Sequence, residues 1–222
     1  MSTPLLIGML LALVGPLLMN FGTRLAGGES FRPWSRVVLW LLTGSAVALT
    51  AKSYTDWQSV LGLEVFGVSA ALLGVAAALC ILATWPLIQL LQRAVGGSDI
   101  SSNDSFKRLA AYSFPYRLFL VVTAAVTEEV LYRGYGIGVG GLQFQNSTLA
   151  VALSLACFVA AHFRWGVAHL PSVLVAGAAL SALFVGTGSL VACIIAHAIV
   201  DAVGLLLAPA LIARKSQAAT AR

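Results

Sequence analysis

Long apolar runs alternate with short polar ones along the chain, and each run approaches the ~20 residues that a membrane-spanning helix needs. Leu5–Asn20 reads as a first span with a kink at Pro16. A loop with Arg24, Glu29, Arg32 and Arg36 leads to a second, Val37–Ala51, where Trp34 and Trp40 suit an interfacial belt. After the loop Lys52–Glu64 comes a long third span, Val65–Leu91, bent or ended near Pro86. The longest polar stretch is Gln92–Arg117, in which Phe106–Phe114 reads as a short helix on the membrane surface. Leu118–Arg133, Thr148–His162, Leu170–Val185 and Ser189–Ala213 are the fourth to seventh spans. The expectation is an all-α, polytopic membrane bundle of about seven transmembrane helices, within a range of six to eight. It forms one integral-membrane domain over 1–222, with 118–207 bearing the polar motifs described below.

Composition supports this class. Of 222 residues, 59% are hydrophobic and 9% charged, against ~25% charged in soluble domains, and the mean hydropathy is +0.94. The net charge of +5 does not indicate nucleic acid, because the basic residues are scattered over loops with no patch of interleaved aromatics. They fit the positive-inside rule instead. With the N-terminus outside and seven spans, the inside segments hold Arg24, Arg32, Arg36, Arg93, Lys107, Arg108, Arg117, Arg164, Arg214, Lys215 and Arg222; the outside loops hold Lys52. Met1–Pro4 lacks the basic residues of a signal-peptide n-region, so Leu5–Asn20 is expected to stay as a helix. Cys80, Cys157 and Cys193 lie in apolar runs without C-x-x-C spacing and read as small buried hydrophobes.

Polar residues inside the spans change the picture. An ionisable group in hydrocarbon costs ~2.5–3.5 kcal/mol on insertion scales and is a functional-site hypothesis by default. Glu128 and Glu129 interrupt the fourth span, His162 ends the fifth, and His197 and Asp201 lie in the seventh. Glu129 and Arg133 are i,i+4 and can pair on one face, while Glu128 is turned about 100° away. Phe158/His162 and His197/Asp201 repeat the one-turn spacing, so three helices each offer polar groups from which a bundle site can be built. His169, in a connector after Trp165, reads as an interfacial residue. Between the fourth and fifth spans, Gly134-Tyr135-Gly136-Ile137-Gly138-Val139-Gly140-Gly141 has no preceding strand and no Lys-Ser/Thr ending. It is therefore a flexible re-entry or a place of close helix packing rather than a phosphate loop. Asn146-Ser147-Thr148 fits either a glycosylation pattern or a helix cap, with the cap preferred.

Glu128-Glu129-x-x-x-Arg133, Phe158-x-x-x-His162 and His197-x-x-x-Asp201 together resemble the three motifs of the CPBP family, the CAAX-protease and bacteriocin-processing (Abi) intramembrane endopeptidases. The resemblance covers about Leu118 to Leu207, with Leu61-Gly62-Leu63 a faint further echo. It implies a hydrolase that cleaves peptide bonds of membrane-associated peptide or protein substrates, lipidated or not. It implies a multi-pass protein of the lipid bilayer, here the inner membrane of a bacterial cell, with no nucleic-acid partner. By that likeness Glu128 and His162 activate a water, and His197 and the residue at Asp201 stabilise the oxyanion. Glu129, Arg133 and Phe158 support them. A carboxylate in apolar surroundings can act as a general base near neutrality, and preset oxyanion donors contribute ~2.7–4 kcal/mol. The last position is often Asn in the family. An ionised Asp201 cannot donate, so it is expected to orient and charge His197. No cofactor is expected. The alternative, a zinc metalloprotease using the same residues, is disfavoured because no compact H-E-x-x-H pair exists. A proton-coupled transporter would show two similar halves, whereas the polar residues here lie in the second half; a non-catalytic membrane protein would not need intact motifs.

Overall fold

The computed structural model describes residues 3–25, 33–94, 108–109 and 111–207. Among them the chain is a bundle of helices without strands. α1 (Thr3–Leu25) and α2 (Pro33–Ser53) pack together, and α3 (Trp57–Leu61) is a single turn. α4 (Val68–Ala83) and α5 (Trp85–Ala94) form one column broken at Thr84, where both N–H and Oγ1 donate to Ile81 O. The break expected near Pro86 thus falls two residues earlier, since proline fits the first turn of a new helix but not the interior of an old one. α6 (Phe114–Glu128) runs into a π-helical segment (Glu129–Val139) and then α7 (Gly140–Phe144), giving a continuous rod. α8 (Ser147–Ala161), two 3₁₀ turns (Phe163–Trp165 and Val167–His169), α9 (Leu170–Thr187) and α10 (Leu190–Ala202), with a final π turn (Val203–Leu207), complete the order.

Five helices are long and apolar enough to cross a membrane: Thr3–Thr23, Pro33–Ser53, Val68–Leu90, Val167–Thr187 and Leu190–Leu207. With the rod Phe114–Phe144 and the shorter apolar helix Ser147–Ala161, they form seven helical columns among the described residues. The protein is an integral, multi-pass membrane protein. Its outward faces carry large apolar side chains such as Leu18, Leu41, Leu72 and Leu79, as lipid requires. Cys80 lies on that outer face, Cys157 is half-buried and only Cys193 is fully buried, so the expectation of three buried cysteines holds for one. Trp34 and Trp40 are exposed, in keeping with an interfacial position. Of the surface helix expected over Phe106–Phe114, residues 108–109 are helical but 111–113 form a turn that ends at Ser113, the N-cap of α6; the end of the seventh span beyond Leu207 lies outside the described residues.

The interior is arranged around the rod. Inside hydrocarbon every polar group needs a protein partner. Helix hydroxyls therefore bond back one turn, as Thr43 does to Leu39 O, Thr50 to Ala46 O, Thr127 to Thr123 O and Ser181 to Gly177 O. The glycine-rich stretch is not a flexible re-entry. It is helical and closely packed, and a Cβ on Gly136 would meet Leu13 and Ser154, one on Gly138 the carbonyl oxygen of Val60, and one on Gly140 Met9. The α3 turn docks on this face. Leu61 is fully buried against Gly134, and Gly62, at φ +76°, accepts from Leu190 N at 2.8 Å through its carbonyl. Asn146 is the N-cap of α8, its Oδ1 accepting from Leu149 N at 3.0 Å.

Candidate active site

Neighbouring positions on a helix point about 100° apart, and the rod uses this to separate its two acids. Glu129 is fully buried. Its Oε1 accepts from Arg133 Nη1 at 2.9 Å and faces His197 Nδ1 at 2.7 Å. Arg133, also buried, spends Nη2 on Gly177 O of α9 at 3.0 Å, and its Cζ sits 4.5 Å above the Phe158 ring. That approach needs Gly177: a Cβ there would lie 2.9 Å from Phe158. The Glu129–Arg133 pair foreseen from i,i+4 spacing is present. The Glu129–His197 contact, across 68 residues of sequence, was not foreseen.

Glu128 turns the other way, into a cavity of about 570 Å³. There its Oε2 lies 3.7 Å from His162 Nε2. The imidazole is set by its other nitrogen, because Phe158 O at 2.8 Å can only accept, so Nδ1 carries a proton. In the neutral ring Nε2 is then a lone-pair acceptor. Two acceptors at this separation suit a molecule with two O–H donors, one for each. Neither Glu128 Oε2 nor Glu129 Oε2 has a hydrogen-bond partner among the described residues.

Meeting of these groups depends on helix length. Glu128 ends the fifteen-residue α6, deep in the rod, whereas His162 caps the C-terminal end of α8. α8 is also fifteen residues, ~22 Å at 1.5 Å per residue, shorter than a ~30 Å hydrocarbon core. Its end therefore stops at the depth Glu128 reaches. Asn20 of α1 holds that end, with Nδ2 donating to Ala161 O at 2.9 Å.

His197 and Asp201, on α10, border the same cavity. The i,i+4 spacing put His197 and Asp201 on one face, and they form an ion pair with Asp201 Oδ2 3.6 Å from His197 Nε2, while Glu129 makes the shorter contact, 2.7 Å, at Nδ1. Phe158 is the hub of the arrangement, its ring centroid 4.7 Å from His162, 6.4 Å from His197 and 5.2 Å from Tyr132. The site thus brings together Glu128, Glu129, Arg133, Phe158, His162, His197 and Asp201. It also contains residues that sequence reasoning passed over. Arg36 and Tyr132 line the cavity, and so does His169, which had been read as interfacial. Ser172 Oγ donates to His169 O at 2.6 Å and lies 3.2 Å from His169 Nδ1. Since the hydroxyl hydrogen is spent on the carbonyl, Nδ1 is the donor in that second contact. The signal for His169 was its position seven residues after His162, across two tight turns that fold back on the site. No three of the described His, Cys, Asp and Glu side chains converge as metal ligands.

Residues 110–203 match the family model of the type II CAAX prenyl endopeptidase, Rce1-like. Over that span, 94 of the 222 residues, the chain is similar to the CAAX-type membrane proteases of the CPBP family. The matched span runs from the start of α6 to the end of α10 and contains every group around Phe158. No curated protein and no solved structure matches the chain. As a CAAX-type intramembrane protease it is a membrane peptidase, a hydrolase acting on membrane-associated peptides or proteins.

Proposed function

We propose that this protease cleaves its substrate in the cavity beside Glu128, by a water that Glu128 and His162 activate together. The observation that carries this reading is the 3.7 Å pair of acceptors, Glu128 Oε2 and His162 Nε2, set on separate elements and facing one cavity. A water donating one proton to each presents its oxygen lone pair to a peptide carbonyl. Attack forms the C–O bond while the water proton passes to Glu128. Collapse of the tetrahedral intermediate restores the carbonyl, breaks the C–N bond and returns that proton to the departing amine. His197, anchored at Nδ1 by Glu129, offers Nε2–H to the oxyanion when doubly protonated, and Asp201 nearby steers and charges the ring. Apolar walls, among them Leu39, Ile81, Trp85 and Leu120, suit an apolar or lipidated peptide segment.

The reaction so written uses no metal, and this reading is supported by the side-chain geometry, since among the described residues no three His, Cys, Asp or Glu side chains converge as ligands. The test is cleavage of an internally quenched, farnesylated C-terminal peptide by protein reconstituted in liposomes. Glu128→Gln and His162→Ala are each expected to lose at least 100-fold in kcat, the lower range for general acid–base groups. Trp40→Phe, on the outer face, and a strong zinc chelator should leave the rate unchanged. Wild-type turnover by Glu128→Gln would overturn the reading, and chelator inactivation reversed by zinc would replace it with the metalloprotease.

A further inference from the structure

The oxyanion side of this reaction is short of donors. An ionised Asp201 only accepts, and His197 has committed Nδ1 to Glu129, which leaves Nε2 alone. Enzymes that stabilise an oxyanion generally converge more than one donor on it. Tyr132 borders the same cavity, is 1% exposed, and its hydroxyl has no hydrogen-bond partner among the described residues. A buried phenol normally finds one.

Placement is equally specific. Tyr132 lies four residues after Glu128 on the rod, one turn away, and its ring stands edge-on to Phe158. The same Phe158 ring contacts His162 and His197, so one aromatic group fixes the phenol relative to both histidines. Burial on every side leaves the ring little freedom to swing away.

We propose that Tyr132 is a catalytic residue whose hydroxyl donates a hydrogen bond to the scissile carbonyl oxygen and, with His197 Nε2–H, holds the oxyanion as it forms. This rests on the reading that the peptide is cleaved beside Glu128. The phenol keeps its proton throughout, so no extra acid or base enters the balance.

The test is Tyr132→Phe, assayed with the farnesylated peptide and with a peptide aldehyde of the same sequence, whose hydrate mimics the tetrahedral intermediate. We expect kcat to fall on the order of 100-fold with KM within about twofold, as for loss of one oxyanion donor. Affinity for the aldehyde, read as the rise it causes in the unfolding midpoint, should fall with it. The midpoint of the free variant should match or exceed wild type, because an unsatisfied buried hydroxyl has been removed. Wild-type kcat with an unchanged or raised midpoint would overturn the proposal and leave Tyr132 as a core residue. So would a kcat loss that only tracks a lower midpoint. Normal turnover by Glu128→Gln would instead remove the underlying reading, so the two failures are distinguishable.

Discussion

At the scale of single residues, the two adjacent acids are a lesson in what one turn of helix does. Glu129 is a structural charge, enclosed by Arg133 and His197, and Glu128 is left facing the cavity. Removing one partner of a buried ion pair strands the other, at a cost of ~3–5 kcal/mol. Arg133→Met is therefore expected to lower stability by about that amount, measured as the unfolding midpoint in mild detergent. Arg133→Lys should recover little of it, because an ammonium lacks the fork that reaches Glu129 Oε1 and Gly177 O together. Much of this was legible from spacing. Glu129 and Arg133 announce themselves at i,i+4, and the isolated polar residues in apolar runs named the other members. What spacing could not give was which carboxylate His197 prefers. Its one-turn neighbour Asp201 stands 3.6 Å away, and the closer partner comes from another helix.

At the scale of elements, hydropathy located the columns, but nothing in it distinguishes an i→i+5 ladder from i→i+4. The π-helical segment over Glu129–Val139 was accordingly invisible, and its glycines suggested flexibility as readily as packing. The structure assigns them to packing. Gly138 is the sharpest case, since the obstacle to a Cβ there is the backbone oxygen of Val60, which cannot rotate aside as a side chain would. Gly138→Ala should separate α3 from the rod and destabilise by ~1–3 kcal/mol, the usual cost of overpacking. Gly22→Ala, where no atom lies within 4 Å of the added carbon, is the control and should be neutral or slightly stabilising in the same unfolding assay.

For the whole molecule, the first half of the chain supplies walls and the second supplies the acids and histidines. α1, α2, α4 and α5 contribute Asn20, Arg36, Ile81 and Trp85 to the cavity, while Glu128, His162, His197 and Asp201 come from α6 onward. The sequence showed this division in where its acids and histidines fall, but not the cavity itself, which exists only where seven columns meet. One of those columns, α8, is short, and the membrane must respond to it. A ~22 Å helix beside a ~30 Å hydrocarbon layer leaves a mismatch that the bilayer relieves by thinning locally, at fractions of a kcal/mol per ångström. Any such thinning falls beside the end of α8 that carries His162. Cleavage in vesicles of fourteen-carbon acyl chains should then run several-fold faster than in twenty-two-carbon ones, measured as initial rates of peptide release at equal protein-to-lipid ratio. Bilayer thickness becomes, for this protease, a determinant of where in a heterogeneous membrane its substrates are cut.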